Sequence, residues 1–195
     1  AGAGLPTTPG SDGTISGRAV PRWPWSAWPE GREHKVAGRA IEIVRSVDTG
    51  TARVEIALAS LRDLPALHAL QRRCFSEGQA YGIATLFALY LWPRAQILVA
   101  WAEGRIAGCV VADRNGDRTR ILNLCVDPDF RRRGIGAFLL QTAEEVLGAP
   151  NVTLMVEDKN TGAQELYRRA GYIPVADLRN YYGRNRHGIL MQKRR

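Results

Sequence analysis

Between Thr119 and Leu147 the chain passes from an apolar strand to a glycine turn and then directly into a helix, and this junction restricts the fold more than any other feature. Thr119–Val126 has the apolar content of a buried strand, and Asp127-Pro128-Asp129 ends it. Proline fixes φ and has no N–H to give to a ladder. Arg131-Arg132-Arg133-Gly134-Ile135-Gly136 follows, and Gly134–Leu147 carries apolar residues at the spacing of an amphipathic helix. A strand that feeds a helix in this way belongs to a sheet covered by helices. On such sheets the strand-to-glycine-to-helix junction is the favoured ligand site.

The rest of the pattern agrees. Arg53–Leu58 alternates as a strand, and Ser60-Leu61-Arg62-Asp63 has the shape of a capping box ahead of Leu64, Leu67, His68 and Leu70 at helical spacing. Ala80–Leu91 predicts a second helix that stops before Pro93, with Ile83–Trp92 reading as its buried part. Ile97–Trp101 and Ile106–Ala112 read as strands joined at Glu103-Gly104, and a turn at Asn115-Gly116 leads into Thr119–Val126. Beyond the junction, Val152–Val156 is a strand, Gly162–Ala170 a helix capped by Gly171, and Tyr172–Val175 and Ile189–Gln192 are strands. A meander followed by strand–helix alternation predicts an α/β fold, a mixed sheet with helices on both faces.

The first N–H groups of a helix have no internal partner and lie at the positive end of its dipole. Gly134 and Gly136 remove the side chains that would keep a phosphate from those donors, and the arginines add charge. An Arg-rich turn with packing glycines would read the same way. The decisive context is two matched blocks. Leu122-Asn123-Leu124-Cys125-Val126-Asp127-Pro128 with Arg131–Gly136 resembles the fourth strand and Q/R-x-x-G-x-G/A motif of the GNAT N-acetyltransferase superfamily. Asn160-Thr161-Gly162-Ala163-Gln164-Glu165-Leu166-Tyr167-Arg168-Arg169-Ala170-Gly171-Tyr172 resembles its N-x-x-A-x-x-L-Y-x-x-x-G-F/Y block. The resemblance covers about residues 53–195, and Arg179-Asn180-Tyr181-Tyr182 before Gly188-Ile189-Leu190-Met191 is similar to the end of ribosomal-protein alanine N-acetyltransferases.

The resemblance implies a largely antiparallel GNAT-type sheet and acetyl-CoA as cosubstrate. It implies that backbone groups of Leu124, Cys125 and Val126 hold the pantetheine arm. N–H groups from Arg132 to Ala137, which include Arg133, Gly134, Ile135 and Gly136, bind the pyrophosphate beside Arg131. Asn160 bonds the pantetheine, and Tyr167 gives a proton or hydrogen bond to the departing thiolate. The subfamily's glutamate base falls at Met155, which takes no proton. Glu77, in the loop after the first helix, and Glu157, two residues on from Met155, are the carboxylates left to consider, each also readable as a surface charge. Tyr81, Tyr181 and Tyr182 are candidates to line the acceptor groove. The expected reaction is acetyl transfer to a primary amine, expected to be a protein or peptide N-terminus. A small-molecule amine acetyltransferase and a non-catalytic acetyl-CoA-binding module remain open alternatives.

Composition bounds the remainder. Hydrophobic residues are 45% of 195, enough for a packed core. The net charge is +8, of which +7 falls in residues 159–195, with nine basic and two acidic side chains. A basic face can steer a polyanion, but no aromatic RNA-binding motif, zinc finger or helix-turn-helix signal accompanies it, and a nucleic-acid partner is not expected. A solvated surface and a frayed Lys193-Arg194-Arg195 tail account for that charge equally well. Cys74, Cys109 and Cys125 are spaced as buried free thiols, giving a cytoplasmic expectation and no metal site. Cys125 beside a thioester suggests an acyl-cysteine, yet no His or Asp is spaced to activate it. No run approaches a membrane span and no signal-peptide pattern opens the chain. Residues 1–52 read as an irregular extension, with Trp23-Pro24-Trp25-Ser26-Ala27-Trp28-Pro29 at its centre, and 53–195 as the acetyltransferase domain.

Overall fold

The computed structural model describes residues 33–36, 39–48, 53–75, 79–148 and 150–194. In it the strands are β1 (Glu33–Val36), β2 (Arg39–Asp48), β3 (Arg53–Leu58), β4 (Ala95–Ala102), β5 (Arg105–Asn115), β6 (Arg118–Val126), β7 (Asn151–Glu157), β8 (Ile173–Leu178) and β9 (Gly188–Arg194). They form one sheet in the order β1-β2-β3-β4-β5-β6-β7-β9-β8. Every pairing is antiparallel except β6 with β7, so the sheet is mixed and largely antiparallel, as the sequence predicts.

Strand β4 shows how one sequence supplies two cores. Leu98, Ala100 and Ala102 point to one face, where they join Phe138, Leu139 and Leu140 of α3 (Ile135–Leu147) and Tyr167 of α4 (Thr161–Arg169). Ile97, Val99 and Trp101 point to the other, beside Leu64, Leu67 and Leu70 of α1 (Leu64–Cys74) and Leu86 of α2 (Ile83–Leu91). A strand covered on both faces is apolar at every position, whereas each helix needs only one apolar stripe. The box at the start of α1 forms as read: both the N–H and the hydroxyl of Ser60 donate to Asp63 Oδ2 at 2.8 Å.

Three expectations are corrected. The segment 1–52 is not irregular throughout, because β1 and β2 extend the sheet beyond β3. Val44 and Val47 both pack on the core although they stand three apart, a spacing that breaks period two. A β-bulge between Ile43 and Arg45 restores the facing, and a bulge leaves no simple alternation to read. The tryptophan cluster at 23–28 lies outside the described residues. Secondly, Ile83–Trp92 is not a buried helix: of α2 only Leu86 is buried, while Ile83, Phe87, Leu91 and Trp92 are about half exposed. Finally, Lys193 and Arg194 are not a frayed tail but the end of β9. Lys193 Nζ reaches the buried Glu144 carboxylate at 2.7 Å, and Tyr172 donates to the same carboxylate at 2.7 Å.

Candidate active site

Among the described residues the β6–β7 ladder is the only parallel one, and it runs only from Arg118↔Asn151 to Ile121↔Leu154. Past Ile121 the two strands part. Leu122–Val126 keeps its partner β5 on one side, and Met155–Glu157 keeps β9 on the other. The gap between them is a wedge edged on the β6 side by backbone that no strand pairs. Leu122, Asn123, Leu124 and Val126 are half-buried there and Cys125 is buried. Unpaired strand backbone is a template for an extended ligand.

At the wide end of the wedge the chain turns from β6 into α3. The Asp127 carboxylate accepts from the N–H of Asp129 at 3.0 Å and from Arg73 at 3.1 Å. Phe130 is sunk into the core beneath Arg105 and Arg133, whose guanidiniums lie 4.5 and 5.0 Å from its ring centre. Arg132 and Gly134 both adopt positive φ, 66° and 78°, so the turn is left-handed immediately before the helix. The first helical bond runs from the Phe138 N–H to the Gly134 carbonyl at 3.1 Å, leaving the N–H groups of Ile135, Gly136 and Ala137 outside the ladder. A Cβ on Gly136 would stand 3.4 Å from Leu166 Cδ2 and 3.5 Å from Val126 Cγ2, between α4 and the wedge strand. The residue is therefore glycine where a side chain would fill the cradle, and the site fits an anion carried on a thin extended arm. The arginines divide: Arg131 Nε donates to the Val126 carbonyl at 3.2 Å, and Arg133 donates to Glu103 at 2.9 Å.

Helix α4 closes the wedge from the α3 side. Asn160 caps it, with Oδ1 accepting from the Ala163 N–H at 3.1 Å, so its Nδ2 carries the donors that can face a ligand. Tyr167 is buried, with its ring edge-on to Tyr172 at 5.9 Å. Burial first, and then the Cys125 thiol, pushes its hydroxyl up to about 12, so it is a donor throughout the neutral range.

Opposite, the β8–β9 hairpin is fixed in place by Arg186, which donates to both carboxylate oxygens of Glu157 at 2.7 Å. Arg186 thereby holds the Glu157 carboxyl below the usual range. The His187 ring anchors the same hairpin: its Nδ1 accepts from the N–H of Asn180, a residue with φ 57°. Tyr181 and Tyr182 meet edge to face at 4.9 Å. Tyr182 is raised by burial and then by Tyr181, Tyr167, Glu157 and Tyr81, so these rings and the carboxylate share one neighbourhood. Tyr81 borders it from the α2 side and donates to the Leu122 carbonyl at 3.3 Å, where the strands part. Met155 fills the floor: a Cβ on Gly188 would stand 3.1 Å from Met155 Sδ and 3.0 Å from Tyr181 Cβ, so methionine and glycine together seat the tyrosine.

The structure thus brings Leu124–Val126, Arg131–Ala137, Asn160 and Tyr167 around one wedge, with Tyr81, Tyr181 and Tyr182 at its mouth. Glu77 lies outside the described residues. Sequence reasoning missed the Glu157–Arg186 clamp, because Arg186 is one arginine among many in a basic stretch. It also missed the link between Gln71 and Asn123, whose amides bond each other at 2.9 and 3.3 Å across α1 and β6. A fully buried glutamine on the α1 apolar face carried that signal.

Residues 64–172 match the Acetyltransferase (GNAT) family. Over 134 residues the chain is 31% identical to the [ribosomal protein bS18]-alanine N-acetyltransferase of Salmonella typhimurium, a match of 65% of this chain and 86% of that protein. Over 128 residues it is 35% identical to N-alpha-acetyltransferase MAK3 of Arabidopsis thaliana, covering 61% of this chain and 65% of that one. Among solved structures, the ribosomal-protein-S18-alanine N-acetyltransferase of Escherichia coli superposes with a TM-score of 0.66 at 25% identity, over 72% of this chain and 93% of that one.

Proposed function

The chain belongs to the GNAT acetyltransferase family and is an acetyl-CoA-dependent N-acetyltransferase; we propose that its acceptor is the α-amine of a protein or peptide N-terminus. The observation that carries the acceptor is the likeness, across 86% of its length, to an enzyme named as the alanine N-acetyltransferase of a ribosomal protein. Two features of the molecule support it. The mouth of the wedge is bordered by Tyr181 and Tyr182, on the hairpin held by Glu157–Arg186, and by Tyr81, bonded to the Leu122 carbonyl, an edge suited to one extended chain. The +7 balance of residues 159–195 opposes free polyamines, which bring several positive charges, but not a peptide presenting one.

Bound acetyl-CoA supplies a thioester carbonyl for a neutral amine to attack. The chain's own part is to hold and to protonate. The N–H groups from Arg132 to Ala137 hold the pyrophosphate at the α3 dipole. The Leu124–Val126 backbone and the Asn160 amide hold the pantetheine arm, and Tyr167, kept protonated by burial, donates to the sulfur as it leaves. Glu77 is the carboxylate we assign to take the ammonium proton. Three free thiols are in keeping with a reducing, cytoplasmic setting.

The test is a thiol-release assay with acetyl-CoA and four acceptors: peptides with free N-termini, the same peptides blocked but bearing lysine, spermidine, and an aminoglycoside. Turnover on the free termini is expected to exceed the others by at least about tenfold, since an α-amine near pKa 8 is far more often neutral at pH 7 than a lysine near 10.4. Turnover confined to blocked peptides or to spermidine refutes the acceptor. No turnover on any amine, with acetyl-CoA still bound, would instead favour a non-catalytic module.

A further inference from the structure

The chemistry above uses none of the three thiols, yet they meet at one point on the α1 side of the wedge. Cys109 and Cys125 are opposed residues of β5 and β6, with their sulfurs 3.5 Å apart. Gln71 Nε2 donates to both at 3.6 Å. Cys74, the last residue of α1, packs against the cluster that holds Cys109 and Cys125 and donates its S–H to the Val126 carbonyl, next to Cys125, at 3.3 Å. Cys109 and Cys125 are buried, whereas Cys74 is half-buried and reachable by a small solute. All three are reduced.

We propose that this cluster is an oxidisable dithiol, in which a hydroperoxide oxidises Cys74 and Cys125 then closes a disulfide that ties the end of α1 to β6 and weakens acetyl-CoA binding. The binding half rests on the reading of Leu124–Val126 as the strand that holds the pantetheine arm. The order of events follows from the setting of each thiol. Cys74 is the half-buried thiol that a small solute reaches, and its neighbours Cys125 and Arg131 hold it below its ordinary value, so it is oxidised first. Cys125 is pushed well above its ordinary value by its contacts with Cys109 and Cys74 and by burial, so it stays a thiol until a neighbour is oxidised.

The steps balance. The Cys74 thiolate attacks the hydroperoxide: an S–O bond forms, the O–O bond breaks, and the alcohol, or water from hydrogen peroxide, leaves with a proton. Cys125 then attacks the Cys74 sulfur: an S–S bond forms, the S–O bond breaks, and the hydroxide leaves as water with the Cys125 proton. Two thiols and one hydroperoxide become a disulfide, an alcohol and a water. The consequence for β6 is geometric. A disulfide needs its sulfurs about 2.0 Å apart, closer than thiols in contact, so the end of α1 and β6 must be drawn together beside Val126. The same step removes the S–H bond to the Val126 carbonyl, one of the backbone groups that edge the wedge.

The test takes the full chain, reduced and then treated with hydrogen peroxide. Intact mass is expected to fall by two hydrogens, peptide mapping to join Cys74 with Cys125, and dithiothreitol to reverse both. Calorimetric Kd for acetyl-CoA is expected to weaken roughly tenfold or more on oxidation and to recover on reduction. Cys74→Ser is expected to show no mass loss and one Kd before and after peroxide. Stable addition of oxygen to Cys74 with no disulfide overturns the dithiol, as does a Cys109–Cys125 disulfide that forms at the parent rate in Cys74→Ser. A disulfide that leaves the Kd unchanged overturns the coupling. Failure of the reduced chain to bind acetyl-CoA overturns the acetyl-CoA site itself, while the mass measurements still decide the dithiol.

Discussion

Gly136→Ala separates folding from binding at the α3 N-terminus. The added Cβ would lie 3.4 Å from Leu166 Cδ2 and 3.5 Å from Val126 Cγ2, ordinary contact distances, so the fold need not move to admit it. Replacing glycine by alanine inside a helix contributes up to about 1 kcal/mol, reduced here because the position is in the first turn. The free protein is therefore expected to be as stable as the parent or slightly more so. Binding moves the other way. The methyl occupies the cradle between Val126 and α4 and denies the ligand one close N–H contact, and a hydrogen bond to a charged group is worth about 1.5–3 kcal/mol. The expected outcome is an acetyl-CoA Kd raised by roughly 10–150-fold, with Gly136→Val worse still. Urea unfolding of the free protein and calorimetric titration with acetyl-CoA read the two effects apart. A parent-like Kd in a folded Gly136→Ala protein would refute the placement of the ligand against this turn, and a large loss of stability would refute the claim that the cradle is open.

Tyr167→Phe is expected to lower turnover by roughly 10–1000-fold while leaving acetyl-CoA affinity near the parent value, read by steady-state kinetics beside calorimetry. Lys193→Met removes the ammonium that meets the buried Glu144 carboxylate at 2.7 Å, and should cost about 1–3 kcal/mol in urea unfolding. For Glu157 the sign follows from its lowered carboxyl. The pair with Arg186 contributes stability above the unfolded carboxyl value of 4.5 and loses it as pH falls through the depressed folded value. The stability gap between the parent and Glu157→Gln should therefore be widest near neutral pH and close on acidification; a gap constant with pH contradicts it.

The sheet was legible where period and punctuation agree. Arg53–Leu58 alternates cleanly and appears as β3 with those bounds, and Glu103-Gly104 turns where a two-residue hairpin demands positive φ, 52° and 75°. β2 was not legible, because the bulge between Ile43 and Arg45 inserts a residue and spoils the alternation that would announce it. α2 misled for the opposite reason. Ile-Ala-Thr-Leu-Phe-Ala-Leu-Tyr-Leu is apolar on every side, which normally means burial, yet only Leu86 is buried, and Leu89 and Tyr90 pack partly against the core. Apolar content says that a residue tolerates burial, not that the fold supplies a neighbour. The part of the candidate site proposed to hold the cofactor was legible as contiguous motifs, Arg131–Gly136 and Asn160–Tyr172, which the structure places at one edge of the wedge. The acceptor half was not, because Tyr81, Glu157 and Arg186 are brought together from elements far apart in sequence, and single residues of common type carry no local pattern.

That acceptor half explains how a methionine can stand where the subfamily resemblance leads one to expect a glutamate. Met155 is not a gap in the site, since its sulfur lies under Gly188 and Tyr181 and helps to seat the ring at the groove mouth. A carboxylate there would face a half-buried aromatic floor. Glu157, on the same face of β7, is committed to Arg186 through both oxygens, and a carboxyl lowered in this way is a weak base near pH 7. Its task is to hold the hairpin. On the proposed reading Tyr167, held protonated, gives its proton to the leaving sulfur, and the base side rests on Glu77, since neither Met155 nor the Arg186-bound Glu157 of the β7 floor can serve. Such a division suits an acceptor that arrives partly neutral. At pH 7 roughly a tenth of α-amines near pKa 8 are neutral, against well under a thousandth of lysines near 10.4. The shortfall of a base thus costs about tenfold for a chain terminus and over a thousandfold for a lysine. The proposed selectivity for an N-terminus then follows from what the β7 floor lacks, as much as from what the groove binds.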